Sequence, residues 1–207
     1  MDYKIDHIPK GKKRSGLKVN MASITIHNTG NPKSTARNER NYLTNPHNTS
    51  VTGYHIVIDE NEAIECISTN ERAWHAGDGA NGPGNNTSIG IEVCESGEQN
   101  KVWDNAVNLV AKMLKERNWG VDRVTTHQRW SGKNCPRLIL PRWNEFIKDI
   151  EKELLNLRGN SDVSPWALDA YKWVVENGLS DGTNPKQPIT REQVWAMLYR
   201  MRGLKND

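Results

Sequence analysis

The sequence predicts an α/β domain built on a central sheet, followed by a small helical C-terminal segment. Three observations carry this reading: short alternating or β-branched runs in the first half, two long amphipathic patterns after them, and a polar break before the last stretch of chain. At 207 residues the chain exceeds one average domain and falls short of two, so one main domain with an appendage is expected.

The elements follow in order. Residues 22–27 alternate around Ile24, Thr25 and Ile26 and read as a strand ending at His27. Residues 38–43 fit a helix. Residues 54–58 and 63–67 flank Asp59, Glu60, Asn61 and Glu62 and read as a hairpin, and residues 88–94, with Ile89, Ile91 and Val93, form a further buried strand. Between them, Gly77-Asp78-Gly79-Ala80-Asn81-Gly82 fits a G-x-G-x-x-G pattern letter for letter. No strand precedes it, however, and Pro83-Gly84-Asn85-Asn86 does not look able to open a helix, so a mobile loop beside a substrate groove is expected. Residues 99–118 place Val102, Ala106, Leu109, Val110, Met113 and Leu114 on one helical face, with Gly120 as the stop. Trp143, Phe146, Ile147, Ile150, Leu154 and Leu157 repeat the pattern after Pro141.

The polar, Gly-containing run 158–162 reads as a linker, dividing a domain at 1–157 from a segment at 163–207. That segment carries two helix starts. Ser164-Pro165 offers a cap followed by proline at the first helical position, and Thr190-Arg191-Glu192-Gln193 is a capping box. So short a segment buries little core and should dock, self-associate or be marginal.

Composition removes several functions. No run approaches the roughly 18 apolar residues of a membrane span, and the first residues lack the apolar stretch of a secretory signal. No membrane insertion is expected, and the chain is expected to be made in the cytoplasm without a signal peptide. Three cysteines, Cys66, Cys94 and Cys135, are too few and scattered for a disulfide scaffold. The net charge is only +3, and the basic cluster Lys10, Lys12, Lys13, Arg14 and Lys18 lacks interleaved aromatics, so a solvated loop is expected and no nucleic-acid partner. Eight tryptophans against one phenylalanine suit a polar, carbohydrate-like ligand as well as a core.

Chemistry concentrates on His27 at a strand end, with His127 and Cys135 far downstream. Catalytic zinc takes three such ligands and leaves a position open. By spacing alone, a core cysteine with two hydrogen-bonded histidines is the favoured reading. Further words accompany these residues in a fixed order: Ile24-Thr25-Ile26-His27-Asn28-Thr29, Gly53-Tyr54-His55-Ile56-Val57-Ile58, Ala73-Trp74-His75-Ala76-Gly77, Ser88-Ile89-Gly90-Ile91-Glu92, Thr126-His127 and Gly132-Lys133-Asn134-Cys135-Pro136.

Together, over about residues 20–155, these words resemble the zinc-dependent N-acetylmuramoyl-L-alanine amidases of the type-2 amidase family, related to phage T7 lysozyme and the peptidoglycan recognition proteins. The resemblance implies a mixed sheet flanked by helices, with zinc as cofactor on His27, His127 and Cys135. It also implies Glu92 as general base and Lys133 near the reacting carbonyl, and leaves Tyr54 as a rival catalyst. Asn28, Trp74 and His75 fall to the substrate groove; His7, His47 and His55 receive no role. The implied activity is that of an endolysin or autolysin acting on bacterial peptidoglycan after phage-type release. A non-catalytic recognition module and a cytoplasmic recycling amidase are the alternatives. An intact Cys135 argues against the first, and a wall-binding tail against the second. The tail resembles one S-layer-homology repeat, which implies wall polysaccharide contacts through Trp166, Thr190 and Arg191. Because one repeat lacks neighbours, two outcomes are open: a homo-oligomer through the tail, or a helical cap on the amidase domain with Trp166, Trp173 and Trp195 packed inward.

Overall fold

The positions of the β-branched runs translate into a sheet whose central strands are buried on both faces. The computed structural model describes residues 1–182 and 185–203, without the side chains of residues 159–162. It divides into two compact units, Met1–Glu151 and Lys152–Asp207.

In the first unit the strands are β1 (Asp2–Ile5), β2 (Ser23–Asn28), β3 (Ile56–Ile58), β4 (Glu62–Glu65), β5 (Ser88–Val93) and β6 (Val124–Thr126). Their order is β1-β4-β3-β5-β2-β6, and only β3 and β4 run antiparallel to each other. The expected hairpin is this β3–β4 pair. Its turn is held by Asp59, whose Oδ1 accepts from the N–H groups of Asn61 and Glu62 at 2.8 and 2.9 Å. Ile24 and Ile26 on β2, Ile56, Val57 and Ile58 on β3, and Ile89 and Ile91 on β5 are fully buried, as strands covered on both faces require.

The helices of this unit are α1 (Ala36–Leu43), α2 (Pro83–Thr87), α3 (Gln99–Glu116), α4 (His127–Ser131) and the first part of α5 (Trp143–Asp162). Helix α3 buries the stripe of Val102, Ala106, Leu109, Val110, Met113 and Leu114. On α5, Phe146 and Ile150 are buried, the Trp103 ring meets Phe146 edge-on at 4.9 Å, and its Nε1–H donates to Asp149 at 2.8 Å.

Four differences from the sequence expectations have physical causes. Strands β1 and β6 were not foreseen. The first is exposed along its whole length and the second has three residues, so neither shows a usable hydrophobic period. The expected linker at 158–162 is the last part of α5, because polar residues continue an exposed helix face as readily as they break one. The segment after the expected loop is a short helix. Pro83 does open α2, since proline is tolerated at the first helical position, and the Asp78 carboxylate accepts from the N–H groups of Gly84 and Asn85 at 2.6 and 3.2 Å.

The second unit adds α6 (Leu168–Glu176) and α7 (Arg191–Gly203). The capping box at the start of α7 forms in both directions: Gln193 N–H donates to the Thr190 hydroxyl at 3.2 Å and Thr190 N–H to the Gln193 side chain at 2.8 Å. Trp166, Trp173 and Trp195 do not pack inward; they are 88%, 47% and 62% exposed.

Candidate active site and metal centre

Strand register assembles the site. β5, β2 and β6 are adjacent and parallel, so their carboxyl ends share one edge, where open α/β sheets bind ligands. His27 lies directly opposite Glu92 across the β2–β5 pair, and Ile26 opposite Thr126 across β2–β6, which brings the next residue, His127, beside His27. Thr126 caps α4 by accepting from Arg129 N–H, and Gly132 ends that helix in the left-handed conformation at φ +75°. The chain then doubles back, and Gln128 N–H donates to the Cys135 carbonyl at 2.9 Å.

The result is a convergence of three ligand atoms. His27 Nδ1 lies 3.0 Å from His127 Nδ1 and 3.9 Å from Cys135 Sγ, and the ligand atoms of the three residues all fall within 4.8 Å of one another. All three side chains are buried. Two imidazole nitrogens and a thiol make a donor set suited to a borderline-soft cation, so these residues fit a metal ion. Glu92 brings Oε1 to 3.9 Å from His27 Nδ1, while its Oε2 is buried without a hydrogen-bond partner. A cleft of about 550 Å³ opens over them, lined also by Asn28, Trp74, Ser131 and Lys133.

A family model described as N-acetylmuramoyl-L-alanine amidase matches residues 17–138. The chain belongs to this amidase family. N-acetylmuramoyl-L-alanine amidase CwlH of Bacillus subtilis is 41% identical over 209 residues, covering 99% of this chain and 82% of CwlH. Two other amidases of that organism align over less of their own length. XlyB is 49% identical across 63% of this chain and 42% of XlyB, and CwlA 45% identical across 74% and 59%. The chain therefore spans less than two thirds of these two relatives. Among solved structures, the catalytic domain of XlyA superposes with a TM-score of 0.69 at 39% identity, covering 72% of this chain and 99% of that domain.

Electrostatics within the amidase site follow from burial. Loss of solvent holds the His27 and His127 pKa values below the usual histidine range, and each is lowered further by the Lys133 charge. Burial pushes the Cys135 thiol up to about 11 and the Glu92 carboxyl up to about 8, in the latter case with help from Glu39 and against the pull of Lys133. A cation placed among these groups would favour the thiolate and the carboxylate, opposing the rise at Cys135 and Glu92, and would keep both imidazoles neutral, in the same direction as burial.

Of the other expected residues, Lys133 and Trp74 line the cleft, and the Arg72 guanidinium sits 4.4 Å from the Trp74 ring centre on a cation–π stack. Asn28 also lines it, but its amide is committed to the protein: Oδ1 accepts from Leu138 N–H at 3.0 Å and Nδ2 donates to the Val93 carbonyl at 3.2 Å. Asn28 thus holds the chain just after Cys135. Tyr54 does not reach the cleft lining. It is 5% exposed, and its hydroxyl donates to the Glu39 carbonyl at 2.9 Å, which makes it a satisfied core residue. His75 also borders the cleft, but it is 4% exposed and both its ring nitrogens are in hydrogen bonds.

Sequence reasoning missed the supports. Arg137 forms a two-pronged ion pair with Glu95 and ties the segment after Cys135 to the end of β5. Asn85 on α2 accepts from two successive backbone N–H groups, His75 and Ala76, each at 2.8 Å. Neither pair carries a local signal, because each forms across more than forty or about ten residues of intervening chain, respectively. His55 is likewise a buried structural residue: Nε2–H donates to the Glu71 carbonyl and Nδ1 accepts from Gly90 N–H. In the basic cluster, Arg14 is paired bidentately with Glu71, and Lys13 donates to the Asn48 carbonyl.

Proposed function

We propose that this chain hydrolyses the amide bond between the lactyl group of N-acetylmuramic acid and L-alanine in peptidoglycan, as an endolysin or autolysin, with zinc held by His27, His127 and Cys135. The observation that carries the reading is the convergence of two imidazole nitrogens and a thiol beside a buried carboxylate, at the floor of an open cleft, in a chain of the amidase family. The donor separations of 3.0 and 3.9 Å bracket the roughly 3.3–3.6 Å that zinc–nitrogen and zinc–sulfur bonds imply at tetrahedral angles.

When bound, zinc would polarise the scissile carbonyl and lower the pKa of water from 15.7 toward about 7. The remaining work falls to the chain. Glu92 takes the proton of the attacking water and returns it to the departing amine. The carboxyl is placed for both steps because its Oε2 has no hydrogen-bond partner within the protein. Lys133 supplies fixed positive charge to the carbonyl oxygen as the tetrahedral centre forms. Trp74, stiffened by Arg72, offers an apolar face on which a sugar ring can lie. The three tail residues Trp166, Thr190 and Arg191 belong to the same reading as contacts for wall polysaccharide. Trp166 is free to serve, whereas the Thr190 hydroxyl is already committed to capping α7.

Mass analysis of peptidoglycan digested by the protein, with and without a chelator, tests the proposal. Release of stem peptides with a free L-alanine amino group, abolished by chelator and restored by zinc, is the expected result. Cleavage of a different bond, or the same products in excess chelator, would overturn it.

A further inference from the structure

Both candidate ligands present Nδ1 to the convergence point, and an imidazole can offer a lone pair there only if its proton sits on Nε2. What fixes that choice can be traced. His75 Nε2 lies 2.9 Å from the Ser88 carbonyl, which can only accept, so Nε2 carries the proton of His75 and its Nδ1 carries a lone pair. That Nδ1 is 3.0 Å from His27 Nε2, so His27 must donate from Nε2 and keep Nδ1 open. His127 also turns its Nδ1 toward His27, with its Nε2 against Gly77. The tautomer of His27 is therefore set by His75, which is followed in the chain by Ala76.

Those two residues are themselves held as a unit. Asn85 Oδ1 accepts from the N–H groups of both His75 and Ala76 at 2.8 Å, and its Nδ2 donates to the Gly79 carbonyl at 3.1 Å. Asn85 is 2% exposed, and its own N–H is held by Asp78. The fit around the His75 ring is close: a Cβ added at Gly90 would stand 2.6 Å from His75 Cγ, so glycine on β5 is what admits the ring.

We propose that His75, anchored together with Ala76 by Asn85, is a positioning template that selects the Nε2–H tautomer of His27 and so aims its Nδ1 lone pair at the point where His127 and Cys135 converge. His75 acts through His27. This rests on the metal reading of the site for its purpose, but not for its geometry. In the metal-free chain that lone pair is free to accept from His127 Nδ1, 3.0 Å away.

Long-range ¹H–¹⁵N NMR of the metal-free full chain reads the tautomers, and competition with a chromogenic chelator reads zinc affinity. The expected wild-type result is a proton on Nε2 of His27. His75→Leu removes the acceptor and should let His27 carry its proton on Nδ1, with zinc affinity lower by about 10–100-fold. His75→Asn places an amide oxygen near the former Nδ1 and should keep the tautomer and most of the affinity. A proton on Nδ1 of His27 in the wild type would overturn the proposal, as would wild-type zinc affinity in a folded His75→Leu protein. Should the His27 tautomer be as expected while zinc fails to bind, the template stands and the metal reading falls.

Discussion

At the scale of single residues, two chemically similar candidates separate by what surrounds them. Glu92 and Tyr54 are both buried close to the cleft, but Glu92 Oε2 has no partner while the Tyr54 hydroxyl is already bonded to Glu39. Glu92→Gln keeps the shape and cannot accept a proton, so turnover should fall about 10²–10⁴-fold with the metal still bound. Tyr54→Phe should lower stability by about 1 kcal/mol through the lost hydrogen bond and leave turnover within a few-fold of wild type. A dead Tyr54→Phe enzyme beside an active Glu92→Gln enzyme would reverse the assignment. Cys135→Ala should lower bound zinc by elemental analysis and abolish lysis; full occupancy with full lysis would remove Cys135 from the ligand set. His55 makes a separate prediction. Burial lowers its pKa from 6.5 to about 4, so the unfolded chain takes up a proton before the folded one does. Its contribution to stability is complete above pH 6.5 and is lost as pH falls from there toward 4. Thermal unfolding of the wild type should show this loss, and His55→Gln should show a shallower slope across the same window; identical slopes would contradict the assignment.

Elements decide where these residues stand. The site exists because β5, β2 and β6 are parallel neighbours in a particular register, which sets Glu92 opposite His27 and leaves His127 one step past the end of β6. A slip of one residue on β2 would turn His27 to the opposite face of the sheet. Helix α2 matters for a related reason, since it carries Asn85 to His75 and Ala76. Its start depends on Asp78, which satisfies two N–H groups that the helix cannot. Asp78→Ala should therefore cost about 0.5–2 kcal/mol, read as a lower melting temperature. The loss should be accompanied by weaker zinc binding in the chelator competition, because the same turn supports the template. An unchanged melting temperature would show that the cap contributes nothing.

For the whole molecule, the division into units bears on wall attack. Every residue of the proposed site lies within Met1–Glu151, and the second unit exposes Trp166, Trp195 and Tyr199 at 88%, 62% and 77%. Exposed aromatic rings of this kind are what the proposed wall contacts would use. A chain ending with α5 should cleave small soluble muropeptides as fast as the full chain, yet bind intact walls at least about tenfold more weakly. If the tail also self-associates, sedimentation velocity should show the full chain as larger than a monomer and the shortened chain as monomeric. Equal wall pull-down by the two would remove the targeting role. The helices of both units account for no membrane span, since among the described residues none is long and apolar enough to cross a bilayer.

The sequence by itself determined the fold class, the hairpin, the stripe of α3, the capping box of α7 and the candidate ligands. The first four are written in local periods and caps, which local physics reads directly; the candidate ligands came from the ordered words that resemble the amidase family. Tertiary structure alone decided the rest. Strand β1 is an exposed edge and β6 only three residues, so their pairing comes from neighbours rather than from their own pattern. The loop at Gly77 to Gly82 is joined to α2 by the Asp78 side chain, which bonds to N–H groups six and seven residues away. The roles of Tyr54, Asn28 and His75 turn on which partner each polar atom has already taken, and those partners lie 13 to 110 residues distant. Residue type announces that a group can donate or accept. Only packing decides whether that capacity is spent on holding the site or left free to do its chemistry.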